Sequence, residues 1–591
     1  MNPSTALATV LVDELVRCGV REVVLAPGSR SAPLAYAVLR AERAGRLRLH
    51  VRVDERSAGF LALGLAKLSR RPAVVVTTSG TAVANLHPAV LEAHHAAVPL
   101  IVLSADRPDE LRGTGANQTT AQPGIFGAAV RWEHDLTAPG SVDLAGGPAA
   151  PPGPAAALNR SWRSRVGRAW AAAAGSLGGD PGPVHLNVAF RDPLAPDLPV
   201  EDELPADLAG RADGGPWTSV PAGPARVTAL DGEDPTGGED PVPTTLMVLG
   251  DLPDPRLAEQ ALALAVSNGW PVVAEPFGAG DRSTVLPHGS LLLTATSWLG
   301  RHLPERVVVV GRCTLNRETG ALLRRPGVRV EAVATGAEWA DPSGVVAQVH
   351  PWDDLASGAL AAADEPERTA SWAWSWREAG ARVAATVRPL IERSWPSGPG
   401  VASTVLDALR DDDLLVLGSS NAARDVDRVG LTGRSLLVTG NRGLAGIDGT
   451  NATALGIALA APERRVVSLV GDLTFLHDVN GLLLGPDEPR PDLTVVVLND
   501  DGGGIFGTLE YGEPERAGDF ERVFGTPTGA DLAAVATAYS LGFARAGDAG
   551  ELRTALDRPA AGIQVVEVVV PREGHRDLRE QLTRAAAAAL G

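Results

Sequence analysis

Residues 465–506 read RVVSLVGDLTFLHDVNGLLLGPDEPRPDLTVVVLNDDGGGIF. Two nearly continuous apolar runs, Val466–Val470 and Leu493–Leu498, bracket a segment of helical spacing from Leu473 to Leu484. Short runs of that kind, without alternation, predict strands buried on both faces of a parallel sheet. The first ends at Gly471-Asp472 and the second at Asn499-Asp500-Asp501-Gly502-Gly503-Gly504. Both deliver carboxylates and glycines to one carboxyl edge, where open α/β sheets bind ligands.

Those residue types suit a divalent cation and a diphosphate. Mg2+ takes hard oxygen ligands and keeps other positions for phosphate oxygens and water. Asp472 and Asp500 offer carboxylates, and the Gly502 carbonyl can turn inward because glycine tolerates the backbone this needs. The helix start at Leu473 adds a dipole end that favours an anion. The plainer alternative is a βαβ unit that merely turns tightly here.

Outward from this stretch, the 591 residues are enough for about three or four domains. A hydrophobic share of 45% suits large cores. The two cysteines, Cys18 and Cys313, lie far apart, so neither a disulfide framework nor a Cys-rich metal site is expected. No leader pattern and no apolar span of membrane length occurs, which makes the cytoplasm the expected location. A net charge of −18 argues against a nucleic-acid partner, which needs a basic patch. It leaves small anionic substrates open, since local arginines bind those.

Alternating strand and helix patterns predict an α/β fold of three doubly wound parallel-sheet domains. We place the first domain at 1–194, a Pro/Gly/Asp-rich linker at 195–243, and a central domain at 244–370. A linking helix at 371–400 and a third domain at 401–591 complete the chain. Within the first domain, 146–157 reads as a solvated insertion and Ala82–His95 as one helix. His94 and His95 then end that helix as dipole partners, outside any site. The central domain carries no GxGxxG fingerprint. Glu55 follows a predicted strand and opens a helix; its plain reading is a surface carboxylate paired with Arg52 or Arg56. Arg30, Arg107, Arg424 and Arg442, joined by Arg317, fall on loops at predicted ligand edges. Guanidinium forks there suggest substrates with several carboxylates.

The Asp472…Asp500 stretch resembles the diphosphate–metal motif of thiamine diphosphate enzymes, GDG followed by NN. Leu473 replaces the second glycine and Asp500 the second asparagine, and both replacements keep a Mg2+ site. The words PGSRSAPL, DERSAGFLALGLAK, SADRPDELRGTGANQT, TGNRGLAGIDG, VGDLTFLHDVNGL and NDDGGGIF look like the 2-succinyl-5-enolpyruvyl-6-hydroxy-3-cyclohexene-1-carboxylate synthase (MenD) family. They cover both outer domains and the middle one only loosely. The resemblance implies a decarboxylating carboligase of menaquinone biosynthesis that joins 2-oxoglutarate to isochorismate by 1,4-addition.

Carried onto this chain, the family's pattern makes Glu55 the residue that activates thiamine diphosphate. Gly80, Ser420, Gly443, Ile447, Gly471, Leu473 and Ile505 would contact the cofactor. Asp472, Asp500 and the Gly502 carbonyl would hold Mg2+ or Mn2+. Ser29, Arg30, Arg107, Asn117, Gln118, Ser420, Arg424 and Arg442 match substrate positions, and Ile505 with Phe506 forms an apolar wall. Family members can carry Lys-Arg where this chain has Asn316-Arg317, so only Arg317 is carried over as a substrate contact. The resemblance also implies active sites between subunits, hence a homodimer, extending to a tetramer. Two rivals stand: an acetolactate-synthase-like carboligase or decarboxylase, and a non-catalytic protein that binds thiamine diphosphate.

Overall fold

The computed structural model describes residues 1–137, 139–140, 154–198, 204–220, 242–360, 367–431, 433–558 and 562–591. Three parallel sheets follow one another along the chain. The first contains β1 (Glu22–Leu25), β2 (Arg48–Val51), β3 (Ala73–Thr77), β4 (Leu100–Asp106), β5 (Trp132–Leu136) and β6 (Pro183–Ala189), in the order β2-β1-β3-β4-β6-β5. The central sheet contains β7 (Thr245–Leu249), β8 (Val272–Ala274), β9 (Arg306–Val310), β10 (Arg329–Ala334) and β11 (Val346–Pro351), ordered β11-β10-β9-β7-β8. The third contains β12 (Leu414–Leu417), β13 (Leu437–Thr439), β14 (Val466–Gly471), β15 (Leu493–Asn499), β16 (Gly542–Arg545) and β17 (Ile563–Val569), ordered β13-β12-β14-β15-β17-β16. β14 and β15 are adjacent and in register from Val466–Leu493 to Gly471–Leu498, so Asp472 and Asp500 emerge side by side. The α/β expectation holds in all three sheets.

Local departures have identifiable causes. The helix expected over Leu473–Leu484 is a short one, Asp472–His477, followed by a 3-10 turn, Val479–Leu482. Between them Asp478 turns inward, where its buried carboxylate accepts from Ala452 N at 2.7 Å and Ser57 Oγ at 3.2 Å. The single helix expected over Ala82–His95 is two, Thr81–Ala84 and His87–His95. Pro88 has no N–H to give a carbonyl one turn earlier, so the helix breaks before it. Part of the insertion expected at 146–157 lies outside the described residues, and 154–157 begins the helix Pro154–Ala173. Of the expected linker, 199–203 and 221–241 lie outside the described residues. The described stretch 204–220 is tied back to the first domain: Arg163 Nη2 donates to Leu208 O at 2.9 Å and Trp217 N to Glu14 Oε1 at 2.5 Å.

The first and third domains share one core across the helices Glu55–Ser69 and Thr450–Ala460. They cross where Gly64 faces Gly456. A Cβ on Gly64 would lie 2.3 Å from Thr453 O, and one on Gly456 would lie 2.4 Å from Leu61 O. The central domain docks on the open edge of the third sheet, with Gly278 N and Val438 N each donating to the other's carbonyl at 2.9 Å. Among the described residues no helix is long and apolar enough to cross a membrane.

Inserting a methyl between packed backbones costs about 1–3 kcal/mol. Gly456→Ala is therefore expected to lower the melting temperature by several degrees. Gly300→Ala, which meets nothing within 4 Å, leaves it in place. Equal melting temperatures for the two variants would contradict the close crossing.

Candidate active site

At the carboxyl edge of the third sheet lies a cavity of about 560 Å³. Its floor is the pair of strand ends, Gly471, Asp472 and Leu473 from β14, with Asp500 and Gly502 to Gly504 from β15. Asp472 is 2% exposed and starts its helix. Burial lifts its carboxyl to about 6, against the N–H groups of Leu473 and Gly502 that favour the ionised form. Asp500 is pushed up to about 8, first by burial and then by the adjacent Asp472 charge. Two adjacent buried carboxylates, both pushed up, make a site that wants either a proton or a cation.

Glycine is required around them. Gly502 has φ +139°, and a Cβ there would lie 1.9 Å from Gly525 O. A Cβ on Gly504 would lie 1.9 Å from Asp500 Oδ2. His575, at the start of the C-terminal helix, lines the same cavity with Nδ1 3.8 Å from Asp500 Oδ2. Its buried Nε2 has no hydrogen-bond partner among the described residues, and burial lowers its pKa, which favours the neutral ring. A buried polar atom facing a cavity is a position for a ligand atom. The acid pair, the side-chain-free turn and this unpartnered nitrogen fit a metal-bound diphosphate.

The same cavity is also lined by cationic residues. Ser420 has a left-handed backbone, φ +73°, and begins the helix Asn421–Val429 that carries Arg424. Arg442 comes from the loop after β13. Burial and then the neighbouring Arg442 and Arg428 lower the pKa of Arg424. Arg442 is 4% exposed, and its Nε has no hydrogen-bond partner among the described residues. Gly443, Ile447, Ile505 and Phe506 complete the lining. Thr314, Arg424 and Ile505 also line a second cavity of about 940 Å³ that extends toward the central domain, and Arg317 lies there. Asn316, by contrast, is engaged with Asp427 Oδ2 at 3.0 Å.

The residues expected from the first domain form a separate group, and none of them lines either cavity. Burial first, and then the nearby Arg30 guanidinium, lower the pKa of Arg107. Arg107 Nη1 donates to Ser79 Oγ and, at 2.9 Å, to Gln118 O. Gln118 returns a bond to Ser79 O at 2.9 Å. Gly80, at φ +79°, lies against Gln118, where a Cβ would be 3.0 Å from its Cγ. Ser29 and Asn117 are exposed. Glu55 Oε2 accepts from Asn85 Nδ2 at 3.3 Å. The expected alternative, Glu55 paired with Arg52 or Arg56, is not found. Arg52 binds Glu488 Oε2 at 2.6 Å, and Arg56 lies 4.0 Å from Asp478 Oδ1.

His575 and Gly504 were not among the residues anticipated from sequence. His575 stands far along the chain from Asp500 with no local motif. Gly504 was visible as the last glycine of the turn, and its contact with Asp500 was not.

Comparison with known proteins bears on this arrangement. Residues 5–125 match the family described as thiamine pyrophosphate enzyme, N-terminal TPP binding domain, and residues 429–570 match the corresponding C-terminal TPP binding domain. The chain is 48% identical to the 2-succinyl-5-enolpyruvyl-6-hydroxy-3-cyclohexene-1-carboxylate synthase of Nocardia farcinica, over 98% of each chain. It is 46% identical to the same-named protein of Saccharopolyspora erythraea, over 100% of each. Its fold is similar to that of benzoylformate decarboxylase from Polynucleobacter necessarius, with a TM-score of 0.61, 17% identity and coverage of 97% and 99%. Near-complete alignment at these identities, with both thiamine pyrophosphate domains matched, shows that the chain belongs to the 2-succinyl-5-enolpyruvyl-6-hydroxy-3-cyclohexene-1-carboxylate synthase family of thiamine diphosphate enzymes.

Proposed function

We propose that this protein joins 2-oxoglutarate to isochorismate with loss of CO2, by 1,4-addition, in menaquinone biosynthesis. The observation that carries this reading is the single cavity lined by both Arg424 and Arg442 and the Asp472/Asp500 pair. The acid pair suits a cation-bound diphosphate, and the arginines suit the carboxylates of polyacid substrates. Bound there, thiamine diphosphate supplies the nucleophilic carbon and the electron sink for decarboxylation.

The chain's own groups then have distinct tasks. Asp472, Asp500 and the Gly502 carbonyl hold Mg2+, or Mn2+ in its place. Among the described residues no cluster of three or more His, Cys, Asp or Glu could hold a metal, which suits an ion completed by diphosphate oxygens and water. Leu473, Gly471, Gly443, Ser420 and Ile447 shape the cofactor's bed. Arg424, Arg442 and Arg317 orient the substrate carboxylates, and Ile505 with Phe506 limits water at the reacting carbon. Glu55 holds and moves the activating proton, with Oε2 oriented by Asn85.

We further propose that the working unit is at least a homodimer. Glu55, Gly80, Ser29, Arg30, Arg107, Asn117 and Gln118 lie apart from the Asp472 cavity in one chain. A second copy would bring its own set over that cavity. Exposed apolar residues beside both half-sites, Val53 at 71% and Leu444 at 54%, suit burial in such a contact. A tetramer would extend the same arrangement, and the cytoplasm is where we place it.

CO2 release should require 2-oxoglutarate and isochorismate together with thiamine diphosphate and Mg2+. Efficient turnover of pyruvate alone would instead favour an acetolactate-type carboligase. Glu55→Gln is expected to retain cofactor binding while losing about two orders of magnitude or more in kcat; an unchanged rate would remove Glu55 from the activating role.

The acid pair gives a pH dependence of known sign. Folded pKa values of about 6 for Asp472 and about 8 for Asp500 lie above those of an unfolded chain, so the cation-free native state binds extra protons. Its stability from this pair is fully present at low pH and declines as pH rises through those values. A cation replaces the protons. The rise in melting temperature caused by Mg2+ plus thiamine diphosphate is therefore expected to be larger at about pH 8.5 than at about pH 5.5. The opposite order would contradict the assignment.

A further inference from the structure

The loop that carries Arg442 is gripped on both sides of its backbone by other domains. The N–H groups of Gly443 and Leu444 donate to the two carboxylate oxygens of Glu92, each at 2.7 Å. Glu92 belongs to the first domain, on the helix His87–His95, and is 3% exposed. The carbonyls of Arg442 and Gly443 accept from Arg312, Nη2 at 2.8 Å and Nη1 at 3.3 Å. Arg312 follows β9 of the central domain. So one carboxylate takes two successive amides, and one guanidinium takes two successive carbonyls of the same short segment.

Each clamp is itself fixed. Arg312 and Asp251 exchange backbone hydrogen bonds at 2.9 Å, and Asp251 Oδ2 lies 3.5 Å from Arg312 Nη2. Glu92 has its positive neighbour in Lys67, a side chain buried between the fields of Glu92 and Asp251. Gly443 leaves no slack, since a Cβ would lie 2.6 Å from Glu92 O. The Arg442 side chain meets the central domain as well: Nη2 donates to Thr314 Oγ1, and Cζ lies 5.1 Å above the Phe277 ring. Thr314 is oriented in turn, its N–H donating to Glu275 Oε1 at 2.6 Å.

We propose that Glu92 and Arg312 are positioning residues for Arg442, holding its guanidinium at the height and angle at which it meets a substrate carboxylate. This rests on the reading of Arg442 as a substrate contact. A fork-to-fork carboxylate contact tolerates little displacement, and a loop reading Arg442-Gly443-Leu444-Ala445-Gly446 has little stiffness of its own. The clamp gives the central domain a part in catalysis although it carries no fingerprint of a bound nucleotide. It also makes the site depend on the relative placement of all three domains.

The test is a mutant cycle on the full-length enzyme, reading kcat and the KM of each substrate and of thiamine diphosphate. Arg442→Ala identifies the acid whose KM depends on that arginine. Glu92→Gln, which can accept from only one of the two amides, and Arg312→Met should each raise the KM of that same acid about tenfold or more. The KM for the cofactor should stay within about twofold, and Arg312→Lys should recover part of the loss. Adding Glu92→Gln or Arg312→Met to Arg442→Ala should cost nothing further, because the arginine they place is gone. Effects that multiply fully in the Arg442→Ala background would overturn the inference, as would equal losses for both acids. Should Glu92→Gln fail to fold, Arg312→Met and Arg312→Lys carry the cycle. If Arg442→Ala alone leaves both KM values unchanged, it is the reading of Arg442 that fails, and the positioning role falls with it.

Discussion

The contact on which this architecture depends is the crossing of two helices at Gly64 and Gly456, where backbone lies on backbone with no space for a side chain. Because the helix containing Gly64 begins at Glu55, that crossing fixes the direction in which Glu55 is presented. The residues around it add anchors to the same chain's third domain: Arg52 on Glu488, Asp54 on Asn480 at 3.0 Å, and Ser57 on Asp478. Glu55 is the residue in this stretch that points elsewhere, toward Asn85. Glu55 thus lies outside the cavity lined by Asp472 in the same chain, which is the ground for proposing that a second chain brings the two together.

Electrostatics follow the same division. The cavity concentrates negative charge at Asp472 and Asp500 and positive charge at Arg424 and Arg442. Neither set is internally neutralised. Burial raises the carboxylates toward their protonated forms and makes the guanidiniums costly to keep unpaired. On the proposed function, a cation with its diphosphate would satisfy the acid pair and substrate carboxylates would satisfy the arginines. Glu92 from the first domain and Arg312 from the central domain hold backbone groups of the Arg442 loop, and Asp478 accepts from Ala452 N within the third domain and from Ser57 Oγ of the first.

Much of this was legible in the residues. The apolar runs at 466–470 and 493–498 became β14 and β15 within a residue at each end, because buried central strands leave a strong signal. The acid and glycine residues after them lie where the strand-end argument put them. Three of the edge strands were not legible: β5 reads WEHDL, β11 VAQVHP and β16 GFAR, half-exposed and without an apolar run. The helix after Asp472 was read too long because nothing local says that Asp478 turns inward to Ala452. Glu92 and Arg312 could not be found from sequence at all, since they act on amides and carbonyls, which every residue carries. Their partners are distant in the chain, and no spacing rule links them.

The central claim is that a working site needs Glu55 from one chain and Asp472 from another. Complementation tests it directly: inactive Glu55→Gln and Asp472→Asn proteins are mixed, dissociated and reassembled, and CO2 release is measured. In a shared site, half of a randomly mixed set of dimers would carry one intact site each, so about a quarter of wild-type activity should return. Hybrids that assemble but stay inactive would show that Glu55 and Asp472 serve a site within a single chain, and would contradict the account.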